Sequence, residues 1–154
     1  MRTHQENTSG LVNQARLLAT YCYLHKFEGS EILKGIKVSC ITNLYAKRGT
    51  NWLWQSIEDI VGSVNGDSRQ LFAPAVFLLN IQYSLVKDRS LNAFYKCNEQ
   101  FLSNCVQLCK TKYHFLHPRR YRSIKMAKKW FMMISEGGVA HWEAKNSALG
   151  CIDA

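Results

Sequence analysis

The side chains able to do chemistry in this chain fall into three groups. The first is a run of cations. Between Gln100 and Ser135 there is no aspartate or glutamate, yet the window holds Lys110, Lys112, Arg119, Arg120, Arg122, Lys125, Lys128 and Lys129. Those eight account for nearly all of the net charge of +9, which leaves the rest of the chain close to neutral. A field gathered in this way attracts an anionic polymer or surface. Arg119, Arg120, Arg122, Lys125, Lys128 and Lys129 are the candidates for contact with the phosphates of a nucleic acid, where their charges would displace condensed counterions.

The second group is small and polar. The stretch Ile32-Leu-Lys-Gly-Ile-Lys-Val-Ser-Cys-Ile-Thr-Asn-Leu-Tyr45 has the skeleton of a helix-turn-helix. Gly35 supplies the tight turn, a position open to φ > 0. Ile36 tucks beneath it, and Ile41 and Leu44 pack the second helix on the first. Lys37, Ser39, Thr42 and Asn43 then point outward, as side chains able to reach base edges. An ordinary αα-hairpin has similar spacing for packing reasons alone.

The third group is the cysteines, at 22, 40, 97, 105, 109 and 151. The polar start of the chain, Met1 to Asn7, lacks the apolar stretch of a secretory signal, and no apolar run is long enough to cross a membrane. A cytoplasmic chain with no disulfide framework is therefore expected. Cys105 and Cys109, four residues apart on one helix face, are the candidate zinc ligands, with His114 and His117 downstream. They stand among Cys97, Phe101, Leu102, Val106 and Leu108, a setting in which free cysteine is ordinary core. The expectation is no cofactor, with zinc as the alternative. Phosphate loops, dinucleotide fingerprints, nucleophile elbows and HExxH motifs are absent, and Glu58-Asp59 falls on two different helix faces. An enzyme is not expected.

The elements that must position these groups read as helices. The chain of 154 residues is 47% hydrophobic, enough for one domain with a core, and has two prolines. Residues 1–8 read as a flexible start. Residues 9–146 read as a single all-α domain, a compact bundle of about five to seven helices, and 147–154 as a tail. A helix is expected over 9–27, broken at Glu28-Gly-Ser. Residues 31–48 hold the helix-turn-helix-like segment, as two short helices parted at Gly35. Another helix is expected over 52–61. The most apolar helix spans 69–87, with Asp67 or Ser68 as its cap and Pro74 in its first two turns. A helix follows over 91–112, and Pro118 then forces a break near His117. The basic helix covers 119–135 and is stopped by Gly137-Gly138. A short helix is expected over 139–146.

The order of these motifs resembles a family, that of the flagellar master activator subunit FlhC. Gly35-Ile36 and Ile41-Thr-Asn-Leu-Tyr-Ala-Lys-Arg-Gly49 are similar to its glycine-led turn and following helix. Ala75 to Leu85 is similar to its next apolar helix. Ser90-Leu-Asn-Ala-Phe-Tyr-Lys-Cys-Asn-Glu-Gln-Phe-Leu-Ser-Asn-Cys105 is the nearest segment, and Arg122 to Val139, with Trp130 and a glycine pair, resembles the helix that precedes the family's zinc cluster. The likeness runs in order over residues 11–140. The family's four-cysteine zinc site has no counterpart, and Trp52 and Trp54 replace a proline-rich piece, so the chain reads as a shortened relative such as those of conjugative elements or phages. The resemblance implies a DNA-binding transcriptional activator subunit that works in a hetero-oligomer with a small helical FlhD-like partner, on double-stranded DNA, and recruits RNA polymerase.

Two other functions compete with this one. A protein-binding module would use Trp52, Trp54 and the cluster from Trp130 to Ile134. An RNA-binding protein would stack bases on Tyr113, Phe115 and Tyr121, which are interleaved with the cations.

Overall fold

The computed structural model describes residues 4–37 and 52–145. They form α1 (His4–Leu24), a 3-10 turn (Ser30–Gly35), α2 (Trp52–Val61), α3 (Gly66–Leu85), α4 (Leu91–Lys112), α5 (Pro118–Gly137) and α6 (Val139–Ala144). With no β-strand among the described residues, the fold is the expected all-α bundle.

The most apolar segment takes the centre. From Leu71 to Leu85 every side chain of α3 is buried except the half-buried Ala73. A helix that is apolar all round needs partners on all sides. This one touches α1, α2, α4, α6 and the 3-10 turn, while α5 closes over α4 and α2. Trp130 of α5 meets Phe72 and Trp54 edge-on, with centroids 5.2 and 6.1 Å away, which joins α5, α3 and α2 in one aromatic cluster. A second cluster, Tyr83, Phe94 and Trp142, seats α6.

Helix ends follow from local chemistry. The Ser90 hydroxyl caps α4 by accepting from the Ala93 N–H at 3.2 Å. His117 caps α5, its Nδ1 accepting from Arg119 N–H at 3.0 Å, and Pro118 takes the first helical position, where its missing N–H costs nothing. α3 starts earlier than expected. Its cap is Asn65, whose side-chain oxygen accepts from Ser68 N–H at 2.9 Å, and not Asp67 or Ser68. Four successive residues, Asn65 to Ser68, all suit a turn or a helix start, and the first of them won. The early start puts Pro74 in the helix interior, where it removes the bond its N–H would have made one turn back. α1 likewise begins at His4, ahead of the expected Ser9.

The segment 31–48 is described only to Lys37. Its first helix is a six-residue 3-10 turn and not an α-helix. Gly35 ends that turn without left-handed backbone, and Ile36 is extended and packs on the core. The left-handed glycine of this region lies six residues earlier, at Gly29, where φ is 82°. A β-carbon there would meet Gln82 Nε2 at 2.0 Å and Gln100 Oε1 at 2.6 Å. That glycine precedes the 3-10 turn, and beside it Asn104 grips the Glu28 backbone from both sides, accepting from its N–H at 2.9 Å and donating to its carbonyl at 3.1 Å.

Candidate nucleic-acid interface

The cations on α5 are sorted by the phase of the helix. Ala127, Trp130 and Ile134, spaced three and four apart, are the buried stripe. Arg122, Lys125, Lys128 and Lys129 lie on the far side and are exposed, as is Arg119 at the first turn. Arg120 does not join them. Its position is seven residues before Ala127, on the stripe that faces the bundle, and its side chain is half-buried with Nε lacking a hydrogen-bond partner. Its guanidinium lies near Cys109 and draws that thiol down, against the burial that pushes it up to about 11. Four of the six expected phosphate contacts thus share one solvent face, Arg119 is exposed at the first turn half a revolution away from Lys128, and Arg120 turns inward. From Arg119 to Lys129 the helix advances about 15 Å, the length of roughly four base pairs at 3.4 Å each.

A groove of about 660 Å³ opens between this face and the turn that joins α2 to α3. Arg122, Lys125, Lys128 and Lys129 line it together with Met126, Met132 and Met133 of the same helix, and Val61 and Val64 line it from the turn. Asn65 and Ser68, at the start of α3, complete it, with the Ser68 hydroxyl 3.7 Å from the Met126 sulfur. Asp67, exposed in the first turn of α3, is the neighbouring acid on that element. On α5 the cations and the deformable thioethers of Met126, Met132 and Met133 are therefore interleaved along one side of the groove, facing the turn 61–68.

The loop from Tyr113 to His117 leads into the first turn of α5. Phe115 and Leu116 are 56% and 73% exposed. They sit on a backbone held by several bonds: His117 N–H donates to His114 O at 2.8 Å, Leu116 N–H to His114 Nδ1 at 3.3 Å, and the Tyr121 hydroxyl to Phe115 O at 2.7 Å. The His114 and Phe115 rings lie 4.4 Å apart, and the Tyr113 and His117 rings 5.1 Å apart.

Of the expected base-contact residues, Lys37 is exposed after the 3-10 turn. Ser39, Thr42 and Asn43 lie outside the described residues. The tryptophans assigned to a protein-binding surface are core: Trp52, Trp54, Trp130 and Ile134 are all buried. Indole area of that size is worth more inside a bundle than on it. Cys105 and Cys109 are also buried, and their thiols are raised by burial, Cys105 well above the ordinary range. Among the described residues no three His, Cys, Asp or Glu side chains converge as a metal set would. No helix among them is long and apolar enough to cross a membrane.

Sequence reasoning passed over two features. One is the groove, whose walls are far apart in the chain. The other is Arg89, whose guanidinium stacks 3.6 Å from the Trp142 ring centroid and donates to the carbonyls of Tyr83, Val86 and Trp142. An arginine in a short Asp-Arg-Ser link carries no signal of that partner. No family model, no curated protein and no solved structure matches the chain.

Proposed function

We propose that this protein is a DNA-binding subunit of a transcriptional activator, and that α5 lies along a duplex with Arg119, Arg122, Lys125, Lys128 and Lys129 against phosphates. The observation that carries the reading is the acid-free stretch of α5 from Pro118 to Ser135, in which the exposed cations Arg122, Lys125, Lys128 and Lys129 lie away from the buried stripe and Arg119 is exposed at the first turn. A solvated helix of a basic protein normally alternates charges for i, i+4 support, and this one spends none of its cations that way. The order of motifs similar to the FlhC family supports the finer reading: an activator subunit that acts with a small helical FlhD-like partner and RNA polymerase. In that assembly the segment 31–48, with Lys37, Ser39, Thr42 and Asn43, faces base edges.

The test is the salt dependence of binding to duplex DNA. Five phosphate contacts give a slope of log K against log salt of about −4.5. Replacing Arg122→Glu and Lys125→Glu together lowers affinity at every sequence and brings the slope nearer zero, whereas Arg120→Ala leaves it unchanged. A wild-type slope near zero overturns the proposal. Co-expression with a short helical protein from an adjacent gene, followed by size-exclusion chromatography, tests the partner.

A further inference from the structure

The exposed apolar loop ahead of α5 stands apart from both the core and the cationic face, and neither accounts for it. Phe115 and Leu116 are adjacent, both largely exposed, and displayed by a loop that five hydrogen bonds hold in shape. Two further apolar side chains on so short a loop gain nothing from water. Their exposure is stabilised by the loop backbone, whose carbonyls and N–H groups are tied to His114, His117 and Tyr121. Such rigidity lowers the entropy lost when the loop enters a partner.

The position of the loop identifies the partner. Tyr121 is exposed on α5, four residues before Lys125 and seven before Lys128, so it shares their stripe. Its hydroxyl holds the Phe115 carbonyl at 2.7 Å, which docks the loop to the solvent face that carries the cations. In the chain Lys110 and Lys112 close α4 before the loop, and Arg119 and Arg122 open α5 after it, with no acid anywhere between Gln100 and Ser135. An exposed apolar point flanked by cations on both sides in the chain suits an apolar interior lined by anions, and the stacked base steps between two phosphate backbones have that arrangement.

We infer that the Phe115-Leu116 tip is a wedge that enters a base step of duplex DNA and partly unstacks it while α5 holds the adjoining phosphates. The inference rests on the DNA-binding reading given above. Apolar side chains inserted between base steps spend unstacking energy and gain contact area.

The experiment titrates the full-length protein against short duplexes of mixed sequence, each with one adenine replaced by a fluorescent purine that brightens when it is unstacked. Wild-type protein is expected to brighten the probe. Phe115→Ala with Leu116→Ala is expected to abolish the brightening and weaken binding about tenfold, while the salt slope stays as in the wild type. Phe115→Trp with Leu116 kept is expected to retain it. Both changed side chains are exposed, and a thermal melt of each variant checks that the bundle is intact. Brightening that survives the double alanine change overturns the wedge. So does duplex binding with the full salt slope and no brightening by the wild type, and that outcome leaves the DNA-binding reading standing. A wild type that binds no duplex overturns both. Brightening confined to single strands or RNA also overturns the duplex wedge, and points to stacking on unpaired bases.

Discussion

Arg89 carries the closing contact of the fold. Its guanidinium is planar and charged, so it can lie flat on the Trp142 indole and still donate in plane to three carbonyls. The indole N–H returns a bond to the Arg89 carbonyl at 3.4 Å. Arg89→Ala should therefore cost about 2–3 kcal/mol, the value of a desolvated charged donor set with its stacking. Arg89→Lys should recover less than half, because an ammonium can neither stack nor fork. Urea unfolding of the two variants measures both. A second residue-scale expectation concerns pH. Burial pushes the Cys97 and Cys109 thiols up to about 11 and Cys22 up to about 12. A raised folded value favours the neutral thiol, so this contribution is complete below the unfolded value near 9 and is lost as pH rises through 11. Stability should fall across that alkaline range. Alkylation of Cys22, Cys97, Cys105 and Cys109, read by mass spectrometry, should track unfolding and not reagent concentration.

At the scale of elements, the turn at Gly29 seats the chain after α1 against Gln82 of α3 and Gln100 of α4. Its left-handed backbone strains any side chain there, and a β-carbon would also push aside the amide ends of Gln82 and Gln100. Gly29→Ala should cost about 1–3 kcal/mol and disturb the Gln82–Gln100 hydrogen bond of 2.7 Å. Circular dichroism melts give the cost. Elements of this kind differ in how far they could be read beforehand. α2 and α4 have the bounds their sequence suggests, because each follows a clear turn and has a clean apolar period. The start of α3 was ambiguous since Asn65, Asp67 and Ser68 can all cap. Gly35 was the wrong glycine to credit with a left-handed turn, because its neighbours Ile32, Leu33 and Ile36 are satisfied by a plain 3-10 turn against the core. The charge of α5 was legible as a count. Its facing was not, until Trp130 and Ile134 set which side was buried, and that is what turned Arg120 inward.

For the molecule as a whole, the fold class could be read from composition and period, while the site could not be completed from them. The groove joins residues 61–68 with residues 122–133, and nothing local announces that meeting. The tryptophans were misassigned to a surface for a related reason: an aromatic run has the same pattern whether it faces a partner or a neighbouring helix. Trp130 joins three helices, so Trp130→Ala should cost about 3–5 kcal/mol and lower the single unfolding transition of the whole bundle, which a denaturant melt followed by two probes would register. The links that close the bundle have a further bearing on this basic protein. The Arg89 guanidinium, the Asn80 amide bonded to Leu53 and Val76 carbonyls, and the Tyr83 hydroxyl bonded to Asn98 all use uncharged acceptors. Ions in solution compete poorly for such bonds, yet they compete strongly for phosphate. If α5 binds a nucleic acid as proposed, ionic strength should act chiefly as a release lever: raised salt should strip the polymer from α5 while the thermal midpoint of the free protein, in which Arg69 and Glu58 form an ion pair between α3 and α2, changes little, so that letting go of the partner and coming apart are separate events.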